Sequence, residues 1–248
     1  MWHEHFTESM HVVNGMSRRY DMFSGLVYQH VALQWQLVKL IQGNLKTLDL
    51  LPAGGDGVPD LDTTRIGFIG QSLGGISGVS VTAFEPAINA AIFNVAGGGF
   101  YQMFTRSVLR DMIRVPLFDI AGLSPAQGYA ATFFGSMGND FVDPLLTAGK
   151  LIGDKRPIML QVGLDDGLVP NSSSDLLART LGLHLVEPAY PGKARGIPIE
   201  TGKLDHGYTY SDWGFPPYLR HLVLAGDKQE EQAVAFFSET LRPAVNLQ

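Results

Sequence analysis

A single serine lies among glycines at the point where an apolar run ends and a run of small residues begins. Residues 66–75 read I-G-F-I-G-Q-S-L-G-G, and three glycines lie within three positions of Ser72. An ordinary turn needs one or two glycines, so this density indicates a turn in which side chains would collide with neighbouring backbone. Residues 65–69 predict a short buried strand, and residues 73–84 predict a helix that packs closely on a sheet. The pattern therefore predicts a strand, a tight turn and a helix in direct succession.

Short apolar segments that end at glycine or proline recur further along the chain, separated by helical patterns. Such segments are typical of buried strands, and the 248 residues are enough for a sizeable core. Alternating strands and helices predict an α/β fold with a doubly wound, mainly parallel sheet, in one domain covering residues 1–248. The predicted strands are 90–95, 157–162 and 183–186, and the predicted helices are 26–42, covered by protein on two faces, and 227–241, with Asp227 as N-cap.

The segment 100–152 departs from this alternation. It is rich in phenylalanine and methionine but shows no regular succession of strands and helices. We expect an apolar insertion, or cap, over the edge of the sheet, with some side chains packed on the sheet and others lining a pocket. A plain core segment is the simpler interpretation of the same composition.

Composition and charge exclude several classes of protein. The net charge of −6 and the absence of a basic run argue against nucleic-acid binding. The absence of cysteine excludes disulfides, thiol nucleophiles and cysteine-ligated metals. No apolar run reaches the length of about 18 residues that a membrane span needs. Residues 1–10 lack the pattern of a signal peptide, so the compartment stays open between the cytoplasm and secretion after loss of a leader.

The predicted turn would suit Ser72 to nucleophilic chemistry. It lifts the hydroxyl above the sheet and places it at a helix N-terminus, where the backbone N–H of Leu73 can stabilise an oxyanion. A glycine-rich turn without chemistry is the alternative interpretation. A phosphate-binding loop is disfavoured, because the G-K-[ST] ending of such loops is missing. If Ser72 is a nucleophile, it needs a base, and the base needs a carboxylate to orient it.

Two aspartates follow the predicted strand 157–162, in the run Q-V-G-L-D-D-G-L-V-P. Asp166 is the candidate for the carboxylate and Asp165 is its rival. Either one could instead cap the turn that follows. Their position after a strand suits a site at the carboxyl edge of a parallel sheet, where ligands bind in open α/β sheets.

Two histidines compete for the role of the base. His206 lies in the run L-D-H-G-Y, beyond the predicted strand 183–186, and Gly207 permits close approach. His221 lies in the run W-G-F-P-P-Y-L-R-H-L-V-L, whose pattern resembles a helix. We therefore expect His206 to be the base, although an ordinary loop histidine is the alternative interpretation. This choice completes the chain order of serine, acid and histidine.

Together these motifs resemble the α/β-hydrolase family of serine esterases and lipases. The turn G-Q-S-L-G-G, the acid run G-L-D-D-G-L-V-P and the run D-H-G match its three catalytic motifs. Residues 60–78, followed by A-A-I-F-N-V-A-G-G-G, resemble the bacterial extracellular, virulence-factor-type lipases in particular. The resemblance implies a carboxylic ester hydrolase without a cofactor or metal, acting on a small ester with an apolar acyl group. It assigns Ser72 as nucleophile, Asp166 as acid and His206 as base.

The chain departs from that family before Ser72. Only 71 residues precede the serine, and they contain no apolar strand followed by the H-G loop that supplies the second oxyanion donor. That donor therefore stays unassigned, and we expect a sheet that lacks the usual first strands. Such a sheet has an exposed edge, which a second subunit of a homo-oligomer would cover. A serine acyltransferase or peptidase, or a non-catalytic scaffold of the same fold, remains an alternative.

Overall fold

A single parallel sheet forms the centre of the computed structural model. Its five strands have the order β1-β2-β3-β5-β4, and every neighbouring pair is parallel. The prediction of a mainly parallel α/β sheet is therefore confirmed. The structure describes residues 25, 27–51, 53–188, 190, 196–212, 214, 216–217, 219–222 and 226–242. The strands are β1 (Ile66–Gln71), β2 (Ile88–Asn94), β3 (Ile158–Gly163), β4 (His184–Leu185) and β5 (Gly207–Ser211).

Helices cover both faces of the sheet, as a doubly wound fold requires. On one face Gly78 of α2 lies against Phe68 of β1, and on the other Gly67 of β1 lies against Phe237 of α8. The helices are α1 (27–42), α2 (Leu73–Phe84), α3 (Phe100–Arg106), α4 (Asp111–Arg114), α5 (Pro125–Met137), α6 (Pro144–Thr147), α7 (Asn171–Leu181) and α8 (Asp227–Thr240).

Alternating side chains of the strands build a separate core on each face. In β2, Phe93 belongs to the core under α2 and α7, whereas Ile92 belongs to the core under α8. Phe236 of α8 is fully buried against this second core. Burial of one such side chain stabilises the fold by about 2–3 kcal/mol. This period of two explains why the central strands read as continuous apolar runs.

The second half of the sheet differs from the sequence-based prediction. The predicted strand 183–186 is only the two-residue edge strand β4, while β5, which was not predicted, lies between β3 and β4. The segment G-Y-T-Y-S of β5 has the aromatic and β-branched composition of a strand, and Tyr208 is fully buried. Helix α7 was not predicted either. The missed strand matters because its direction decides at which end of the sheet each neighbouring loop lies.

Two expectations about helices are wrong. Helix α8 has Gly226 as its N-cap without a side-chain cap, and Asp227 is its first helical residue. An acid at this position still interacts favourably with the helix dipole. Helix α1 was expected to be covered on two faces, but only one is buried. The exposed leucines of its other face are Leu33, Leu37 and Leu40.

One carboxylate joins the predicted cap to the loop that follows β2. The described residues of 100–152 form helices, turns and short irregular stretches, and no strand. Asp143 Oδ1 accepts hydrogen bonds from the backbone N–H of Gly99 and of Leu145, both at 2.9 Å, and Oδ2 accepts one from Phe100 at 2.8 Å. Asp143 thus caps the N-termini of α3 and α6 together, and it is buried. Both helices need a negative partner for N–H groups that have no partner within the helix.

Substitution of this shared cap should be costly. Asp143→Ala leaves three backbone donors without their acceptor, and we expect a loss of about 3 kcal/mol in the free energy of unfolding. Asp140→Ala, in the same turn, should change it by less than about 0.5 kcal/mol. Urea unfolding followed by circular dichroism measures both variants. Equal effects of the two substitutions would contradict the role of Asp143.

Candidate active site

The glycines around Ser72 permit a backbone-to-backbone contact. Ser72 has φ 55° and ψ −121° between the end of β1 and the start of α2, so the predicted strained turn is present. A Cβ on Gly70 would lie 2.3 Å from the carbonyl oxygen of Gly74. A Cβ on Gly75 would lie 2.7 Å from that of Gly70 and 2.9 Å from that of Asn94. Neither position has room for a side chain.

Backbone hydrogen bonds hold Ser72 at the carboxyl edge of the sheet. Its N–H donates to the carbonyl of Asn94 at 2.9 Å, which extends the β1–β2 ladder beyond the strand. Its carbonyl accepts from Ile76 at 2.8 Å and so closes the first turn of α2. Leu73 is the first residue of α2, and the first N–H groups of a helix have no partner within it. The serine is therefore followed directly by backbone N–H groups that have no partner within the helix.

The structure brings together Ser72, His221 and Asp166. The distance from Ser72 Oγ to His221 Nε2 is 2.6 Å, and that from His221 Nδ1 to Asp166 Oδ2 is 2.7 Å. A carboxylate can only accept, so Nδ1 carries the proton and donates it to Asp166. In the neutral ring Nε2 is then an acceptor for the hydroxyl of Ser72. The three groups form a continuous chain of hydrogen bonds that can take the proton from the serine.

Asp166 is held so that one oxygen is available to the histidine. Its Oδ1 accepts hydrogen bonds from the backbone N–H of Leu168 at 2.7 Å and of Val169 at 3.1 Å. The side chains of Asp166 and His221 are 1% and 8% exposed. A hydrogen bond removed from water in this way is electrostatically stronger than one at the surface. The carboxylate of Asp166 thus contacts His221 with one oxygen and caps the turn that follows it with the other.

His206 is not part of this group, and the expectation that it pairs with Ser72 is corrected. Its Nδ1 lies 2.6 Å from Asp205 Oδ1, and its Nε2 lies 3.4 Å from the carbonyl oxygen of Asp154. Burial acts to raise the pKa of Asp154, but hydrogen bonds from Arg156 outweigh it, and this pKa lies below its usual range. The histidine thus belongs to a polar cluster of its own.

The direction of β5 explains the error. His206 immediately precedes β5, whereas Ser72 immediately follows β1, and the two strands belong to one parallel sheet. The two residues therefore lie at opposite ends of the sheet. The five residues of β5 alone span about 17 Å at roughly 3.3 Å per residue. His221 lies beyond the carboxyl end of β5. Two signals favoured it: the strand-like run 207–211, and Pro216-Pro217, which interrupts the helical pattern before His221.

Asp165, the rival carboxylate, points to a different partner. Its side chain is 74% exposed and lies 3.0 Å from Nη1 of Arg220. Its φ is 55°, and its N–H donates to Asn171 Oδ1 at 2.7 Å. The loop after β3 that carries Asp165 and Asp166 is called the acid loop. Its two consecutive aspartates contact two consecutive residues that follow β5: Asp165 contacts Arg220, and Asp166 contacts His221.

Two further observations concern the part of the chain that the structure describes. It contains no group of three or more histidine, aspartate or glutamate side chains that could hold a metal ion. None of its helices combines the length and the apolar character needed to cross a membrane.

Comparison with known proteins finds distant similarity to solved structures. The chain matches no protein-family model and no curated protein. An acylaminoacyl peptidase of Pyrococcus horikoshii aligns at 17% identity and a TM-score of 0.44, over 76% of this chain and 26% of the peptidase chain. An esterase of Pyrococcus furiosus aligns at 13% identity and a TM-score of 0.41, over 72% of this chain and 55% of the esterase chain. This chain thus spans about a quarter of the one and half of the other, and any activity has to be argued from its own site.

The glycines at the turn differ sharply in what they tolerate. Gly70→Ala and Gly75→Ala place a methyl group against backbone that cannot move aside, and we expect each to lower the free energy of unfolding by about 3 kcal/mol or more. Gly74 has open space around it, so Gly74→Ala should leave stability unchanged or raise it by up to about 1 kcal/mol. Thermal and urea unfolding of the three variants measures this order. A Gly74→Ala variant as unstable as the other two would contradict it.

Proposed function

We propose that this chain is a serine hydrolase that cleaves carboxylic esters through an acyl-enzyme intermediate. The observation that carries the proposal is the hydrogen-bonded chain of Ser72, His221 and Asp166, at 2.6 and 2.7 Å. The position of Ser72 in the strained turn, at the N-terminus of α2, supports the same assignment. A nucleophile, a base and an orienting carboxylate are the groups that this chemistry requires.

In the first half of the reaction, Ser72 Oγ attacks the ester carbonyl carbon while its proton passes to His221 Nε2. The carbonyl oxygen becomes an oxyanion, which the N–H of Leu73 stabilises at the helix N-terminus. The bond from carbon to the leaving oxygen then breaks, and His221 gives its proton to that oxygen. An alcohol leaves, and the acyl group stays on Ser72. Asp166 holds the ring in the required tautomer and stabilises its positive charge.

In the second half, water takes the place of the alcohol. His221 Nε2 accepts a proton from the water as its oxygen attacks the acyl carbon. Collapse of the second oxyanion breaks the bond to Ser72 Oγ, which recovers its proton from His221. The products are a carboxylic acid and the free enzyme, so the cycle consumes only ester and water. No redox step or group carrier is involved.

The cap supports an ester with an apolar acyl group as the substrate. Val108 of the cap donates its N–H to the carbonyl of Gly167 at 2.7 Å, directly beside Asp166. An apolar surface of the cap faces solvent, which favours contact with substrate over a purely structural core role. Similarity of residues 60–78 to the extracellular lipases points to lipid esters among these substrates. The exposed side chains are Tyr129, Phe133, Phe134, Met137 and Phe141, with exposures between 49% and 79%.

Hydrolysis of p-nitrophenyl esters, from acetate to palmitate, tests the proposal. The wild-type chain should release p-nitrophenol. Ser72→Ala removes the nucleophile and His221→Gln removes the base, so each should lower the rate by about 10⁴-fold or more. His206→Gln, the matched control, should keep the rate within about twofold. Loss of activity in His206→Gln but not in His221→Gln would overturn the assignment of the base. No turnover of any ester by the wild type would favour the scaffold alternative.

We also propose that a second copy of the chain covers the outer edge of β1. No strand pairs with this edge in the described part of the chain. The backbone N–H of Ser72 bonds to β2. Because hydrogen-bonding groups alternate along a strand, the N–H and C=O groups of Gly67, Ile69 and Gln71 point away from β2, toward the outer edge. The buried face of helix α1 packs against residues of α2, β1 and β2, and Leu33 and Leu37 of its other face are exposed. Unpaired edges and apolar helix faces are surfaces that proteins normally cover.

The charge of α1 favours a second copy as the occupant. The chain carries a net charge of −6, yet Lys39 is the only charged residue in α1, and it pairs with Glu85. Two copies can therefore meet through this face without the repulsion that the rest of the surface imposes. A foreign partner with a charged surface would gain nothing there.

Light scattering after size exclusion tests this interface. We expect the wild type to be a dimer and Leu37→Glu to be a monomer, because the substitution places a charge at the centre of the apolar face. Val234→Glu replaces an exposed apolar residue on a different helix, α8, and should remain a dimer. A wild type that is monomeric at every concentration and fully active would refute the proposal. So would a Leu37→Glu variant that remains a dimer.

A further inference from the structure

The loop that carries His221 depends on contacts to the acid loop for its position. Between β5 and α8, no described residue from 212 to 222 belongs to a helix or strand. The N–H of Gly167 donates to the carbonyl of Pro217 at 3.0 Å. A Cβ on Gly167 would lie 3.1 Å from the ring of Pro217, so the two loops are in close contact. The loop after β3 therefore contacts the segment that leads to His221 as well as the imidazole itself.

Arg220 provides a second connection between these loops. Its Nη1 donates to the backbone carbonyl of Leu164 at 3.1 Å and to Asp165 Oδ2 at 3.0 Å. The Arg220 side chain is only 18% exposed, although that of Asp165 is 74% exposed. It immediately precedes His221, so a contact that fixes Arg220 also limits where the imidazole can lie.

The acid loop is itself anchored at the point where Arg220 contacts it. Asp165 has a positive φ, which a residue other than glycine adopts only when its surroundings enforce it. Asn171, the first residue of α7, enforces it from both sides. Its Oδ1 accepts from the N–H of Asp165 at 2.7 Å, and its Nδ2 donates to the carbonyl of Gly163 at 2.8 Å. Arg220 therefore contacts a loop that is fixed to both β3 and α7.

We propose that Arg220 is a positioning residue of the active site. It holds His221 at the distance from Ser72 that proton transfer requires, by linking the histidine loop to Leu164 and Asp165. Arg220 acts through the imidazole and not on the substrate. The inference rests on the proposed hydrolase function, because it concerns the efficiency of the same base.

The exposure of Asp165 decides which effect of this contact is the larger one. An ion pair with one exposed partner contributes little to stability, typically below about 1 kcal/mol. A displacement of a catalytic group by about 1 Å, however, can lower the rate by about 100-fold. Loss of Arg220 should therefore reduce turnover much more than it reduces folding stability. Substrate binding, which needs no proton transfer, should change little.

Steady-state kinetics of Arg220→Ala on a p-nitrophenyl ester tests the proposal. We expect kcat to fall about 10- to 100-fold with KM within about twofold, and the unfolding midpoint to stay close to that of the wild type. Both contacts of Arg220 with the acid loop come from one nitrogen, Nη1. Arg220→Lys keeps a charged nitrogen with several donors, but on a shorter side chain, so its kcat should lie between those of Arg220→Ala and the wild type. Guanidinium ion at millimolar concentration should restore part of the kcat of Arg220→Ala by occupying the vacated position.

Arg65 supplies the matched control. It also joins a backbone carbonyl, that of Leu241 at 2.9 Å, to an aspartate, Asp62, but at the amino end of β1. Arg65→Ala should leave kcat unchanged, with or without guanidinium. Ser72→Ala is measured first, so that a failure of the hydrolase function is recognised before Arg220 is judged. With Ser72-dependent activity established, a kcat of Arg220→Ala equal to that of the wild type would overturn the proposal. A fall in kcat that parallels a loss of folded protein, without rescue by guanidinium, would overturn it as well.

Discussion

The backbone ladders of the parallel sheet continue past the ends of the strands, and the candidate active site is built on these continuations. Ser72 N–H bonds to Asn94, Val95 N–H bonds to Gln161, and Leu164 N–H bonds to Ser211. Each bond fixes the first residue of a loop with the geometry of the sheet. Because all strands point the same way, the loops after β1, β2, β3 and β5 all start at the carboxyl ends of the strands. Ser72 and Asp166, from distant parts of the chain, therefore start from the same end of the sheet, and contacts between the loops bring His221 to them.

A buried polar network holds these strands in register beneath that edge. Gln161 of β3 receives a hydrogen bond from Asn94 of β2 at 3.1 Å and donates one to Gln232 of α8 at 3.2 Å. Thr209 of β5 donates to the same Gln232 oxygen at 3.0 Å. Buried groups of this kind are costly unless they are paired, so they favour one arrangement of the strands over a shifted one. The network links the strands that precede the acid and histidine loops to the helix that follows them.

Local patterns predicted the first half of the fold well. Helix α2 covers the predicted residues 73–84, and β1, β2 and β3 lie within two residues of their predicted bounds, because apolar runs bounded by glycine and proline leave few alternatives. Strand β5 escaped prediction because a run of only five residues gives a weak signal. The covered state of α1 was also misjudged, since the apolar pattern of a helix does not tell which face has a neighbour.

The sequence by itself singled out Ser72 and Asp166, which the structure brings together through His221. The requirement for glycine at Gly70 and Gly75 is local, and it marks Ser72 without knowledge of the rest of the chain. Asp166 follows a strongly apolar strand, so its edge of the sheet is also predictable. Only the tertiary structure decided which histidine contacts Ser72, because His221 lies 149 residues from it and reaches it through the direction of β5 and the contacts between loops. Those contacts depend on strand order and loop packing, which no short stretch of sequence encodes.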